Sequence, residues 1–327
     1  MIPALLSVAI PQAVLYLLFG LLGSIAAWFL LSLVAAFVVY SIVLHRWSKR
    51  KWTRECSSDD ARQHEMYAEG LEWAAARKGS MKEVSIERAG LTLYGEYYDL
   101  GFDRTAVIIS GRTEGLRYAY YFAKPYAESG FNIFVFDQRA HGISDGHCNT
   151  LGFEESKDLL KWCEYLHDEL GSGPIYLHGI CIGSACGLYA LIREGAPDYI
   201  IGLTADGMYS NFYRSFVNHA REKVRHTFPV SNMVDWWMRL FTGHSMRKGP
   251  IDCIDRYQKP LLMLHSLEDT YSVPKYAEEL YGKASASDKR LVWFAHGQHS
   301  MLRYTDKEKY DATIKEYLKT HFSDNGA

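Results

Sequence analysis

The chain has 327 residues, of which 48% are hydrophobic, and this length suffices for one large domain with a sizeable core plus an appendage. A formal net charge of -2 gives no electrostatic argument for binding nucleic acid. The cysteines follow neither a metal-ligand spacing nor a secreted disulfide framework, so they indicate free thiols in a reducing compartment; they stand at positions 56, 148, 163, 181, 186 and 253.

Residues 1–44 contain no Asp, Glu, Lys or Arg and are dominated by apolar side chains. Because roughly 20 helical residues cross a bilayer, residues 1–45 are predicted to be a transmembrane anchor of one or two helices. Gly20, Gly23 and Ser24 favour a turn between two passes, 3–19 and 25–44, with one long tilted span as the alternative. A cleaved signal peptide is disfavoured because no basic residue precedes the apolar run, which is also too long.

A basic segment with two tryptophans follows the apolar run: Arg46, Lys49, Arg50, Lys51 and Arg54, with Trp47 and Trp52 between them. Basic flanks favour the cytoplasmic side of a membrane and tryptophan favours the headgroup zone, so we expect the rest of the chain to face the cytoplasm. The alternative is a linker that only solubilises the junction. Residues 46–80 are predicted to contain this linker and then a connector helix within 55–80.

Residues 81–327 show the pattern of an α/β domain. Segment 82–98 alternates apolar and polar residues, which predicts an antiparallel edge hairpin. Short apolar runs then predict strands buried on both faces at 106–110, 132–137, 175–178, 200–205, 261–265 and 290–294. Helical stretches separate them at 118–129, 152–169, 184–194, 276–284 and 306–321. The alternation predicts a mostly parallel sheet with helices on both faces.

The connection at about 208–255 is too long for an ordinary loop and is rich in aromatic and basic residues. We expect it to form a helical cap over the site that also binds acyl chains. The alternative is that its aromatic residues fill a small second core.

The sequence Gly179-Ile180-Cys181-Ile182-Gly183 joins a predicted strand to a predicted helix. A nucleophile on such a sharp turn adopts a strained backbone conformation, and the flanking glycines allow close approach of neighbouring segments. Cys181 is therefore the candidate nucleophile, at a position where most elbows of this type carry serine.

A nucleophile needs a base, and the base needs a group that orients it. Asp269 and His299 both follow predicted strands, and ligand sites in open α/β sheets form at the carboxyl ends of the strands. We therefore expect Cys181, His299 and Asp269 to meet there. Glu268 and His296 are the alternative acid and base.

An oxyanion formed during attack on Cys181 requires backbone N–H donors. Ile182 follows the nucleophile, and Arg112 lies in the loop after an early strand, so their amides are the candidate oxyanion hole. The Arg112 guanidinium could instead pair with Glu114 or a lipid phosphate. The sequence predicts no metal site and no cofactor.

These motifs resemble the α/β-hydrolase superfamily, in particular its serine aminopeptidase-like and lysophospholipase-like branch, with Cys in place of the elbow Ser. The resemblance covers about residues 82–321 and rests on the elbow, the loops of Asp269 and His299, and segments 110–114 and 137–144. It implies an α/β-hydrolase fold with a cap insertion and a structural role for 137–144. Ser110-Gly111 stands where the family usually has His-Gly.

A thiol at a helix N-terminus beside an imidazolium ionises readily and attacks activated acyl groups. The leading hypothesis is a membrane-anchored acyl hydrolase of esterase, lysophospholipase or thioesterase type, acting on a small-molecule acyl ester or a lipid. An acyltransferase with the same triad and a non-catalytic acyl-binding protein are the alternatives, and Cys181 could replace a native serine. The sequence leaves acyl length, head group and oligomeric state open.

Overall fold

The computed structural model describes residues 11–322 and contains one eight-stranded sheet in the order β1-β2-β4-β3-β5-β6-β7-β8. The strands are β1 Met81–Arg88, β2 Leu91–Tyr98, β3 Thr105–Ile109, β4 Asn132–Phe136, β5 Ile175–Ile180, β6 Ile200–Asp206, β7 Leu261–Ser266 and β8 Lys289–Phe294. β2 pairs antiparallel with β1 and with β4, and all other pairs are parallel. The predicted α/β fold is confirmed, including the edge hairpin.

Helices α1 to α11 occupy both faces of the sheet and the N-terminal extension. They are α1 Gln12–Val43, α2 Ala61–Ala75, α3 Leu116–Ala119, α4 Lys124–Ala127, α5 Glu155–Asp168, α6 Ile182–Leu191, α7 Phe212–Lys223, α8 Val230–Thr242, α9 Pro274–Lys283, α10 Leu302–Thr305 and α11 Lys307–Phe322. The single helix predicted over 118–129 is wrong. A 3₁₀ turn at Tyr120–Phe122 separates α3 from α4, and Pro125 lies in the first turn of α4, where its missing N–H costs least.

The apolar N-terminal segment forms one continuous helix in the described part of the chain. α1 has 32 residues, about 48 Å at 1.5 Å per residue, and is the one helix in residues 11–322 that is long and apolar enough to cross a bilayer. The expected turn at Gly20, Gly23 and Ser24 is wrong, because all three lie inside α1 and the Ser24 hydroxyl donates to Gly20 O. Residues 3–10 of the proposed first pass lie outside the described residues.

The last third of α1 packs against α8, which belongs to the cap insertion. The Trp237 ring lies 5.0 Å from that of Phe37, and the Phe241 ring stacks on Tyr40 at 5.3 Å. Trp237 Nε1 also donates to Leu33 O, at 3.1 Å. The insertion therefore contacts the N-terminal helix as well as the α/β domain.

Residues 44–54 run along the surface of the α/β domain and are partly buried in it. Arg46 and Trp52 are only 3% and 5% exposed, whereas Trp47 is 61% exposed. The expectation that both tryptophans face a headgroup zone is therefore wrong for Trp52, which packs on the domain. After this segment, the side chain of Asp60 caps α2 by accepting a hydrogen bond from Arg62 N.

Candidate active site

Cys181 lies at the sharp turn between β5 and α6. Its backbone has φ 54° and ψ -109°, a left-handed conformation that is strained for a residue with a side chain. The Cys181 amide donates to Asp206 O, at 2.8 Å, which ties the turn to the end of β6.

Both elbow glycines are required by close backbone approach. A Cβ at Gly179 would lie 2.3 Å from the carbonyl carbon of Gly183, and a Cβ at Gly183 would lie 2.2 Å from Ile109 O. Neither backbone atom can move without displacing a strand or a helix. The turn that presents Cys181 thus depends on both glycines.

His299 and Asp269 lie in the loops after β8 and β7 and bond to each other. His299 Nδ1 donates to Asp269 Oδ2 at 2.7 Å. The other carboxylate oxygen of Asp269 accepts from the amides of Tyr271 (2.9 Å) and Ser272 (2.7 Å), which fixes the carboxylate in place. Asp269 therefore orients the imidazole so that Nε2 points away from the carboxylate.

Nε2 of His299 is directed to the neighbourhood of Cys181. It is buried and has no hydrogen-bond partner of standard geometry within residues 11–322. Burial lowers the pKa of the His299 imidazole, but Asp269 and the nearby Cys181 sulfur raise it, and the resulting pKa is well above its ordinary value. Burial raises the pKa of the Asp269 carboxyl, but His299 lowers it more, so that pKa falls. The arrangement favours an imidazolium between the Asp269 carboxylate and the Cys181 sulfur.

The alternative acid and base form a separate pair on the surface. His296 Nδ1 donates to Glu268 Oε1 at 2.9 Å, with both side chains more than half exposed. The structure thus pairs His299 with Asp269 and His296 with Glu268, and only the first pair lies at Cys181.

The loop that carries Arg112 passes beside the nucleophile. A Cβ at Gly111 would lie 3.9 Å from the Cys181 Cβ. Within residues 11–322 neither the Arg112 amide nor the Ile182 amide donates a hydrogen bond, and the latter is one of the unpaired donors of the first turn of α6. The Arg112 guanidinium bonds to neither Glu114 nor another acid of the loop; it donates to Val43 O at 2.8 Å.

Segment 137–144 supports loop 110–112 through side-chain hydrogen bonds. Gln138 Nε2 donates to Ser110 O (2.7 Å), and His141 Nε2 donates to Arg112 O (2.6 Å). The family resemblance implied a structural role for this segment. Its hydrogen bonds indicate that the role is to hold the backbone of loop 110–112.

A cleft of about 470 Å³ opens over Cys181 and His299; most of the residues around it are polar, although more of its exposed surface is apolar than polar. α7 contributes His219 and Glu222. Most remaining side chains are polar or charged: Ser58, Asp60, Gln63, Thr113, Glu114, Thr270, Gln298 and Ser300. No aromatic side chain of the insertion lines the cleft, so the expected acyl-binding role of the cap aromatics is not supported.

Two residues at the site were not singled out from the sequence. The Tyr271 ring lies 4.9 Å from the His299 ring and covers it, and burial raises the pKa of its phenol. Asp206 accepts the Tyr310 hydroxyl at 2.7 Å, and burial raises its pKa to about 7. Tyr271 belongs to the loop already chosen for Asp269, and Asp206 ends the strand next to β5, so proximity along the chain and strand order could have indicated both.

The histidine before the elbow is structural, since it faces the core. His178 contacts the hydroxyls of Tyr126 (2.7 Å) and Tyr310 (3.2 Å), and burial lowers its pKa to about 3. In the described part of the chain no group of three or more His, Cys, Asp or Glu side chains is arranged to hold a metal ion.

This chain resembles known proteins in sequence. A family model described as alpha/beta hydrolase fold matches residues 107–230, which include the elbow. The uncharacterized protein YqkD of Bacillus subtilis is 29% identical over 220 residues, covering 65% of this chain and 70% of that protein. An uncharacterized abhydrolase domain-containing protein of Dictyostelium discoideum is 22% identical over 241 residues, covering 62% of this chain and 25% of its own length.

Solved structures show the same architecture. The esterase Pf2001 of Pyrococcus furiosus superposes with a TM-score of 0.63 at 22% identity, covering 76% of this chain and 96% of that one. Mouse alpha/beta hydrolase domain-containing protein 10 has a TM-score of 0.51 at 17% identity, covering 73% and 99%. The chain thus has the α/β-hydrolase fold.

Proposed function

We propose that this chain is an ester hydrolase of the α/β-hydrolase superfamily that forms a covalent acyl-enzyme on Cys181, with His299 as base and acid and Asp269 as the group that orients it. The observation that carries the proposal is the position of His299. Its Nδ1 is bonded to Asp269, and its buried Nε2 lies near Cys181 and has no hydrogen-bond partner of standard geometry within residues 11–322. A free, oriented imidazole nitrogen next to a strained nucleophile is the arrangement that acyl transfer needs.

In the first half of the reaction the Cys181 sulfur attacks the carbonyl carbon of the ester. The carbonyl oxygen becomes an oxyanion that accepts hydrogen bonds from the amides of Arg112 and Ile182. The tetrahedral intermediate then expels the alcohol, which takes its proton from the His299 imidazolium, and a thioester to Cys181 remains. In the second half, His299 removes a proton from water, which attacks the thioester and releases the acid and the thiolate.

The raised pKa of His299 supports a thiolate–imidazolium pair in the resting enzyme. In such a pair the thiol proton has already moved to His299, so attack needs no proton removal. Activated esters and thioesters are the substrates that fit this chemistry best.

The modest volume of the cleft and the polar residues around it support a substrate with a short acyl group or a polar head. A cavity of about 470 Å³ lies in the lower half of the usual size range of ligand pockets, so it has room for a compact ester but not for a fully extended long acyl chain. We therefore infer a small-molecule ester rather than a long-chain lipid as the group bound at Cys181.

Membrane attachment through α1, with the α/β domain on the cytoplasmic side, is part of the proposal. The support is the length and apolar surface of α1, and the basic residues Lys49 and Arg50, which are exposed just beyond it. Resistance of the full chain to extraction from membranes by alkaline carbonate, with Lys49 protected from added protease in sealed cells, is the expected result. Extraction into the soluble fraction would contradict the anchor.

The nucleophile is tested on the full chain with p-nitrophenyl butyrate and intact-protein mass. We expect a burst of nitrophenolate and an added butyryl mass, both lost in Cys181→Ala and both kept in Cys186→Ala. Cys186 is the matched control because it lies on α6 just beyond the elbow and is buried in the core.

Three outcomes would count against the proposal. A wild-type chain without burst or adduct contradicts covalent catalysis by Cys181. A higher steady-state rate in Cys181→Ser shows that the site suits a hydroxyl better than a thiol. Butyryl transfer to an added alcohol or amine, in place of butyrate release, identifies an acyltransferase with the same residues.

A further inference from the structure

The end of α1 is bonded into the catalytic domain through its terminal carbonyls. Arg112 Nη1 donates to Val43 O at 2.8 Å, Asn149 N donates to Leu44 O at 2.9 Å, and Lys51 Nζ donates to Ser41 O at 2.8 Å. The last carbonyls of a helix have no partner inside the helix and carry partial negative charge, so cationic donors stabilise them. α1 therefore enters the domain as a fixed element.

One of these donors belongs to the candidate oxyanion hole. The Arg112 side chain reaches the C-terminus of α1, while the Arg112 amide lies in the loop beside Cys181. A single residue thus connects the N-terminal helix to the place where negative charge would develop.

A second connection reaches the same loop through Trp52. Trp52 has a positive φ of 54°, which is rare for a bulky residue and persists only where surrounding contacts enforce it. Its ring stacks on His141 with centroids 4.8 Å apart, and its carbonyl accepts from Gly142 N at 2.7 Å. His141 in turn donates to Arg112 O, at 2.6 Å.

Two arginines of the same segment, Arg46, which is buried, and Arg54, which is partly buried, bond to the supporting loop. Arg46 Nη2 donates to Gly142 O at 2.6 Å, and Arg54 Nε donates to Asp137 Oδ2 at 2.7 Å. The Asp137 carboxylate also accepts from Leu116 N, at 2.8 Å, beyond the anion-hole loop. Segment 44–54 is therefore bonded to segment 137–142, which supports loop 110–112. Through Asp137 it is also connected to Leu116, which follows that loop along the chain.

We propose that the end of α1 and segment 44–54 position the oxyanion hole, acting through Val43, Arg46, Trp52 and Arg54. The inference rests on the proposed function, because it assigns these residues to the loop whose Arg112 amide binds the oxyanion. A displacement of about 1 Å at a reacting centre can cost about 100-fold in rate, so a loop after a strand end needs such support. A simple tether would be solvated, whereas Arg46 and Trp52 are almost fully buried.

The test compares two reactions of the same sulfur in the full chain. Acylation of Cys181 by p-nitrophenyl butyrate passes through a tetrahedral oxyanion, forms a sulfur–carbon bond and releases p-nitrophenolate. Alkylation of Cys181 by iodoacetamide forms a sulfur–carbon bond and releases iodide without any oxyanion. Loss of oxyanion-hole geometry must therefore slow the first reaction and spare the second.

The variants are Trp52→Leu, which removes the stacking on His141, and Arg112→Met, which removes the bond to Val43 and keeps most of the side-chain volume. Trp47→Leu is the matched control, because Trp47 lies in the same segment but is exposed and contacts neither His141 nor Arg112. We expect acylation to fall about 10- to 100-fold in both variants. Alkylation of the Cys181 peptide, measured by mass, stays within about twofold, and the control is unchanged in both rates.

Acylation at the wild-type rate in both variants would overturn the inference. A parallel loss of acylation and alkylation would also overturn it, because damage to the elbow or to His299 slows both. Thermal unfolding of each variant checks the fold, and if Trp52→Leu does not fold, Arg112→Met decides. An unreactive wild-type Cys181 is a different result, which contradicts the proposed function itself.

Discussion

A single methyl group added at Gly183 should distort the elbow. A Cβ there would lie 2.2 Å from Ile109 O and 2.9 Å from Ser110 O, whereas ordinary contacts begin at 3.4 Å. Relief requires the start of α6 or the end of β3 to move by roughly 1 Å, since protein interiors are close-packed and the clashing atoms are backbone.

The expected cost of Gly183→Ala follows from that displacement. Overpacking of side chains costs about 1 to 3 kcal/mol, and a clash with backbone belongs at the upper end. A loss of about 3 kcal/mol corresponds to a fall of about 6 to 12 °C in the unfolding temperature of a domain of this size. The same shift moves the Ile182 amide, so acylation of Cys181 should fall about 100-fold.

Gly187→Ala is the matched control on the same helix. Its Cβ would lie 2.8 Å from a methyl group of Leu203, a side-chain atom that can move aside. Both substitutions gain about 1 kcal/mol of helix propensity, so the difference between them isolates the clash. The assays are thermal unfolding in detergent and the nitrophenolate burst. If Gly183→Ala matches Gly187→Ala in both assays, the steric reasoning about the elbow is wrong.

Three other perturbations test the site and its surroundings. Asp269→Asn removes the carboxylate that raises the pKa of His299, so the imidazolium loses its proton at a lower pH. The alkaline limb of the pH profile of kcat/KM should therefore move to lower pH, whereas Glu268→Gln should leave this limb where it is. The modest volume of the cleft predicts at least about tenfold higher kcat/KM for p-nitrophenyl acetate or butyrate than for the decanoate, and equal values would show that the cleft does not limit acyl length. Trp237→Ala should lower the free energy of unfolding by about 2 kcal/mol through lost packing on α1, measured beside the exposed Trp236→Ala.

Much of the fold could be predicted because its signals are local. Runs such as 132–137 and 261–265 are apolar throughout, which is typical of parallel strands buried on both faces, and each is confirmed as a strand. The elbow around Cys181 could be found because its two glycines and its strand–turn–helix context are contiguous. The positions of Asp269 and His299 followed from the rule that sites lie beyond the carboxyl ends of strands.

Other features depended on contacts between distant parts of the chain. Gly20 and Gly23 favoured a turn, but an uninterrupted apolar helix keeps its backbone hydrogen bonds and tolerates both residues. Trp52 was expected at a headgroup zone, yet it stacks on His141, almost ninety residues away along the chain. The aromatic residues of the insertion were expected at the cleft, but Trp237 and Phe241 pack on α1.

The succession of strands and helices, the strained turn at Cys181 and the candidate residues of the site could be inferred from the amino-acid sequence, because these depend on periodicity, glycine placement and chain order. The folded structure was needed to establish that His299 pairs with Asp269 while His296 pairs with Glu268, since both histidines follow the same strand. It also decided that the Arg112 guanidinium reaches Val43, because a long side chain bonds to whichever acceptor the folded chain brings within about 3 Å.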